Sequence, residues 1–477
     1  MKFTPKRLIL VAVLFLGALL LTVLYFVQQN APDAKNRAGW YGALPAADLT
    51  ATSGITNDFR VNADFRSNLP VLTLLYEGKL KEGTPVTISV YRDSPFGEPE
   101  ETVPMLVKQV KGEENKPDYV LVPAEEKQTS LLGMPAGSSF RLYAEASDPS
   151  LVRSYIGLRT AMEVTGYAPR SAFCELLTLD VAGFRYEGIY RLAETVTADD
   201  SRVKITHNRA GTEKDGYLLR RGPEQENAQP VQTWAVSSGK TTTPLWTHSP
   251  LEPDADALSY MTTNFSSAER VICGEDRGTF DNVMEVNSFI DYYLINEYFG
   301  NRDAGTNVYY EVDWQGRIRM GPSENFEHAM NSPVQPENSR NLVLADSDLF
   351  RDLLKDGTFL RKMQGRYVEL RQNVLKEETV YRRINETMAY LAAARIRNDA
   401  RWGKETRKLN GGESGETLDL YRMKTYLSEH GKSISEHLAD RIEVDRAANE
   451  GKGGNTVFFV LSFLLFLIPC ILVNRRG

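Results

Sequence analysis

From residue 296 to 330 the chain reads NEYFGNRDAGTNVYYEVDWQGRIRMGPSENFEHAM. Asp303 and Asn307 flank a loop that contains a glycine. Glu324, Asn325 and Glu327 follow the turn Gly321-Pro322. Between the two groups lie Asn307 to Val312 and Arg317 to Met320, strand-like segments joined by the tight turn DWQG. If these pair as a hairpin, both flanking loops emerge at one end and Asp303, Asn307, Asn325 and Glu327 converge. An Asp that accepts a hydroxyl proton, beside an amide oxygen and a second carboxylate on Mg²⁺, is what phosphoryl transfer needs. The metal neutralises charge spreading over the phosphate oxygens, and the Asp orients the nucleophile. Asp and Asn at strand ends are also ordinary turn formers, so this pattern by itself leaves both readings open.

The elements around this stretch are mixed. A helix over Val286–Phe299 carries Phe289, Ile290, Tyr293, Leu294 and Tyr298 and would support the Asp303 loop. Upstream, VLTLLY (71–76), VTISVY (86–91), YVLV (119–122) and FRLY (140–143) read as short strands. Asp148-Pro149-Ser150 opens a helix in which Leu151, Tyr155, Leu158 and Met162 recur, with Gly166 as its stop. Strands near 173–179, 188–192 and 216–219 follow, and 222–256 reads as a polar loop. From Leu349 to about Arg446 the pattern is nearly all helical, and Ala31 to about Ser67 reads as a stalk.

The 477 residues, 42% hydrophobic and 25% charged, suffice for a sizeable core and exclude wholesale disorder. A net charge of -7 argues against a protein that coats nucleic acid. Three Cys and five His leave little room for a zinc cluster; Cys174 and Cys273 could form one disulfide or remain buried thiols. Two apolar runs, Leu8–Val27 and Val457–Val473, are flanked by Lys2, Lys6 and Arg7 and by Arg475 and Arg476. The positive-inside rule then predicts two membrane spans, both termini cytoplasmic and an extracytoplasmic middle; a cleaved signal peptide is the alternative for the first run. The domains expected are a tail (1–7), a span (8–27), a stalk (28–67), an ectodomain (68–446), a linker (447–456), a second span (457–473) and a tail (474–477).

Four stretches, in order, resemble the CotH spore-coat kinase family. Residues 130–167 contain LLG-x-P and a D-x-S-x-x-R helix start at Asp148, Ser150 and Arg153. Residues 173–196 carry G-x-Y-x-L-x-E at Gly188, Tyr190, Leu192 and Glu194. Residues 289–330 match the helix, the N-x-D loop, the hairpin and the turn before the family's W-D-F-D segment, and 391–404 resemble a helix ending in Arg-Trp. The resemblance implies an α+β, kinase-like two-lobed ectodomain, with a β-rich N-lobe and a helical C-lobe between the two spans. It implies an ATP- and Mg²⁺-dependent kinase acting on Ser or Thr of surface or exported proteins. Asp303 matches the catalytic Asp and Asn307 the metal-side Asn. Asn325 falls where the family has its metal-binding Asp, Glu327 on the following Asp, and Glu324 replaces the Trp. Lys116, Arg141 and Glu194 are the expected nucleotide contacts. An amide at 325 lacks the charge that holds a divalent ion, and ATP is scarce outside a cell. A pseudokinase scaffold in an envelope, coat or polysaccharide-export complex is therefore the second functional expectation.

Overall fold

In the computed structural model the described residues are 40–41, 44, 54–112, 116–125, 127–205, 215–409 and 415–473, with side chains of the last stretch from 418 to 449. The chain divides into Met1–Ala43 and Leu44–Gly477, and every element named below belongs to the second unit.

Seven strands close a barrel: β1 (Val71–Tyr76), β2 (Pro85–Tyr91), β3 (Glu101–Gly112), β4 (Pro117–Pro123), β5 (Phe140–Tyr143), β6 (Ser171–Asp180) and β7 (Gly183–Glu194), in the order β1-β2-β3-β4-β5-β7-β6. Neighbours are antiparallel except β1 and β6, whose parallel pairing of Val71 with Glu175 through Leu75 with Leu179 closes the ring. In β2 the alternation Val86, Ile88, Val90 faces the core, as period-2 geometry requires. The second half of β7 is buried on both faces, because a helix covers the outside of the barrel there. That cover explains Gly188: a Cβ on it would lie 2.8 Å from Trp402 Nε1 and 2.9 Å from Asn398 Oδ1.

After β5, helix α1 (Arg153–Thr165) ends at Gly166, as its sequence predicts. It begins later than predicted. Asp148 does not cap it but accepts from the backbone N–H groups of Ser150 and Arg153, folding the entry into a tight loop. A second sheet, ordered β11-β10-β8-β9, contains β8 (Tyr217–Arg221), β9 (Leu245–Ser249), β10 (Val308–Val312) and β11 (Ile318–Met320). The β10–β11 hairpin pairs Tyr310 with Met320 and Val312 with Ile318. The segment read as a polar loop, 222–256, contains β9 and the short helix α2 (Trp234–Ser237). LWTHS was hidden in a Thr- and Pro-rich context, but it completes the edge of β8.

The remaining helices are α3 (Ala255–Ile272), α4 (Phe280–Val283), α5 (Val286–Tyr298), α6 (Asp348–Leu353), α7 (Gly357–Gln372), α8 (Glu377–Leu409) and α9 (Gly415–Val473). Asp254 and Asp356 cap α3 and α7 by accepting from the N–H groups of Ala257 and Phe359. The fold is thus α+β, but its strands are not confined to an N-terminal lobe; the helical half has its own sheet. α5 is buried on nearly all sides against α1, α7, α9 and β11. Leu294 at its centre is fully buried. Leu294→Ala is expected to cost about 2–5 kcal/mol, read as a lower midpoint in urea unfolding; an unchanged midpoint would contradict this packing.

Two expectations are revised, and the open alternative for the cysteines is decided. Residues 54–67 are not a bare stalk: Val61 and Phe65 pack with Val71, Leu177 and Tyr186 against the barrel, where apolar burial outweighs the surrounding polar residues. Cys174 and Cys273 are free thiols. The two-span, extracytoplasmic localisation is corrected, because no helix among the described residues is long and apolar enough to cross a membrane. α8 has the length, but Glu378, Arg382, Glu386, Arg397 and Arg401 punctuate it; in the part of α9 from 418 to 449, Asp419, Lys424, Glu429, Lys432 and Asp440 do the same. Residues 8–27 lie outside the described residues, as do the side chains of 457–473.

Candidate active site

A cleft of about 600 Å³ opens between β5, the loop after β8, the α5–β10 connection and the segment after β11; Arg141, Tyr143, Asp303, Asn307, Glu324 and Asn325 line it. The two loops that bracket the hairpin do meet at one end. A buried amide network joins them: Asn296 Nδ2 donates to Ser323 Oγ (2.9 Å), and Asn301 Nδ2 donates to Asn296 Oδ1 (2.9 Å) and to the Asn325 carbonyl (3.0 Å). Asp303 sits in a 3-10 turn, Arg302–Gly305, entered through Gly300. Gly300 has φ 64°, and a Cβ there would collide with the Tyr426 hydroxyl. The Tyr292 hydroxyl donates to the Ala304 carbonyl at 3.0 Å and holds the turn from below.

Asp303 keeps 47% of its side chain exposed, with Oδ2 3.2 Å from His328 Nδ1. The other nitrogen of His328 lies 3.2 Å from Ser147 Oγ, and Ser147 donates its hydroxyl to Glu327 Oε1. The His328 pKa is raised, first by its bond to Asp303, against partial burial.

Asn325 is held more firmly. Its Oδ1 accepts from Ser154 Oγ (2.7 Å), Arg191 Nη2 (3.2 Å) and the Phe326 N–H (3.0 Å). Its Nδ2 faces Glu327 Oε2 at 3.5 Å. Arg191 is fully buried, donates through Nε to Glu145 at 2.5 Å and stacks 4.2 Å from the Tyr143 ring centre. Burial pushes the Glu145 carboxyl up to about 7; Arg191 opposes this, while Glu327 and Asp148 add to it. On the other wall, Asn307 Oδ1 accepts from Arg220 Nε at 2.9 Å, and Asn307 Nδ2 faces Glu324 Oε2 at 3.5 Å.

Lys116 and Glu194 lie away from the cleft. Lys116 is buried and donates to the carbonyls of Ala144 (2.7 Å) and Ile189 (3.1 Å), and burial brings its pKa down to about 8. Glu194 is sealed between Arg170 (2.9 Å) and Arg202 (3.0 Å), a structural ion pair. Arg141 lines the cleft while paired to Asp118 at 2.8 Å.

A family model described as CotH kinase protein matches residues 111–444, well over half of the chain. The chain belongs to the CotH kinase family. No curated protein matches it.

Family membership suggests ATP and a metal, so the donor set can be tested against Mg²⁺. That ion takes oxygen ligands in near-octahedral order and is usually held through carboxylates. Here Asn307 and Asn325 contribute neutral amide oxygens, and each already accepts from a guanidinium. Glu327 Oε1 is taken by the Ser147 hydroxyl and lies 3.3 Å from the Ser147 N–H. Among the described residues no group of three or more His, Cys, Asp or Glu is placed to hold a metal ion. As arranged, these residues do not fit Mg²⁺: Asn325 Oδ1 already accepts three hydrogen bonds, and a cation at Asn307 Oδ1 would sit against the positive charge of Arg220.

Glu145, Ser147, Ser154, Arg191, Arg220 and His328 stand behind the lining of this CotH-family cleft and hold its residues, directly or through one another, but were not singled out in the sequence. One signal was available. Arg191 is the lone cation in GIYRLAE, a run too apolar to leave it in water, so it had to find a buried carboxylate.

Proposed function

We propose that this CotH-family chain is a pseudokinase: it uses the family cleft to bind and does not transfer phosphate. The observation that carries this is the occupancy of the expected metal ligands. Arg220 holds Asn307, Arg191 and Ser154 hold Asn325, and Ser147 holds Glu327. Without a divalent ion, the charge that develops on a transferring phosphoryl group lacks its main stabiliser. Glu324 adds a negative charge to the wall where the family carries an aromatic residue. A binding role fits the scaffold expectation, as a subunit of a coat, envelope or polysaccharide-export assembly.

One observation favours an atypical kinase instead. Asp303 stays half-exposed at the cleft beside His328, in reach of a substrate hydroxyl. Radiolabelled ATP with Mg²⁺ or Mn²⁺ and Ser/Thr-rich protein acceptors decides between the two. The expected result is no more label transferred by the wild type than by Asp303→Ala. Transfer by the wild type that Asp303→Ala and Glu327→Gln each abolish would establish the kinase.

A further inference from the structure

We infer that an anionic, phosphate-bearing ligand binds this cleft without metal: Arg220, set behind the lining residues Asn307 and Glu324, takes the place of a divalent ion, and Arg191 closes Asn325 to one. The inference deepens the binding role proposed above and rests on it.

Two amides make this arrangement work. Asn307 points its nitrogen at Glu324 and its oxygen at Arg220, so the amide orientation is set from both sides. An aspartate at 307 would also orient the guanidinium, but it would cancel its charge. The amide orients Arg220 and leaves the charge available. Among the described residues the carboxylate paired with Arg220 is that of Glu324, 4.0 Å from Arg220 Nη2, at the limit of an ion pair. Arg220 is only 12% exposed in its side chain and lies 5.7 Å from the Tyr309 ring centre, which restricts its motion.

Arg191 has a different part. Its charge is matched by Glu145, so it contributes position: it closes the Asn325 oxygen to a metal. A further cationic group lines the cleft itself. Arg141 lines the cleft with a buried Nε that no acceptor meets. Planar guanidinium groups bind phosphate oxygens in pairs, a geometry that a lysine or a hydrated metal does not reproduce.

The test is calorimetric titration of the full chain with a non-hydrolysable ATP analogue, in excess EDTA and in excess Mg²⁺. The affinity should agree within about twofold between the two conditions. Arg220→Gln should weaken binding at least about tenfold in both, the loss of one charge-assisted pair. Arg220→Gln/Asn307→Asp should restore binding in Mg²⁺ only, because a free carboxylate then faces the cleft. Binding that needs Mg²⁺ in the wild type, or no binding in either condition, would overturn the inference. So would an Arg220→Gln variant of unchanged affinity. Should Arg220→Gln fail to fold, Mn²⁺ titrated alone into the wild type reads the same point: saturable binding overturns it, and none supports it. Phosphate transfer by the wild type would remove the pseudokinase reading, whereas the EDTA comparison reads the source of the charge alone.

Discussion

Arg153→Ala is expected to destabilise the protein by about 3–5 kcal/mol, the usual cost of leaving buried charges without their partner. Arg153 is completely buried and serves two carboxylates that are buried as well, Asp148 and Asp419. Its Nη2 and Nη1 meet the two oxygens of Asp419 at 2.6 and 2.7 Å, Nη1 also meets Asp148, and Nε donates to the Ala329 carbonyl at 2.9 Å. One guanidinium therefore fastens the entry of α1, the segment that follows the cleft and α9. Its removal leaves two carboxylates in a dry interior, where they must take up protons or draw in water. Arg153→Met/Asp419→Asn should recover part of the loss, since one uncompensated charge is gone. Urea unfolding followed by far-ultraviolet circular dichroism measures both. An Arg153→Ala midpoint equal to that of the wild type would show that the network contributes nothing to stability. The same geometry accounts for the D-x-S-x-x-R pattern: Asp148 folds the loop, Ser150 donates its hydroxyl to Asp148 at 2.6 Å, and Arg153 closes the set.

How much of this was legible in the sequence depends on range. The β10–β11 hairpin, the apolar faces of α5 and the stop at Gly166 are written in neighbouring residues, and local periodicity exposes them. The convergence of Asp303 with Asn325 follows from the hairpin, because pairing two strands brings their outer ends together. Barrel closure does not follow, since β1 must find β6 about a hundred residues away, Val71 beside Glu175. The partners of the site are equally remote: Arg220 reaches Asn307 and Arg191 reaches Asn325 across intervening elements. A sequence displays a charge but not its counter-charge. For that reason Lys116 and Glu194 looked like ligand contacts, whereas the fold uses them against carbonyls and against Arg170 and Arg202. Residue type alone also could not show that Asn325 and Asn307 serve arginines.

The pair Arg191–Glu145 allows the charge economy of the cleft to be read through pH. In the wild type, burial holds the Glu145 carboxyl at about 7, above its ordinary value of 4.5. A carboxyl raised on folding contributes stability that is fully present below its unfolded value and is lost as pH rises through the folded value. Arg191 is the main group that favours the carboxylate. In Arg191→Met that support is gone and Glu145 holds its proton to higher pH. The variant should then lie close to the wild type at pH 5 and fall behind it above pH 7. The gap should widen by about 1.4 kcal/mol per pH unit, reaching about 3 kcal/mol near pH 9. Glu145→Gln in the Arg191→Met background should remove the added slope, because the titrating group is gone. Melting temperatures between pH 5 and 9 measure all three proteins. A gap that does not change with pH would mean that Arg191 acts through packing on Tyr143 rather than through charge. If the slope appears, Glu145 is the carboxylate that keeps Arg191 in place. The guanidinium at Asn325 is then fixed by the protein interior rather than by whatever enters the cleft.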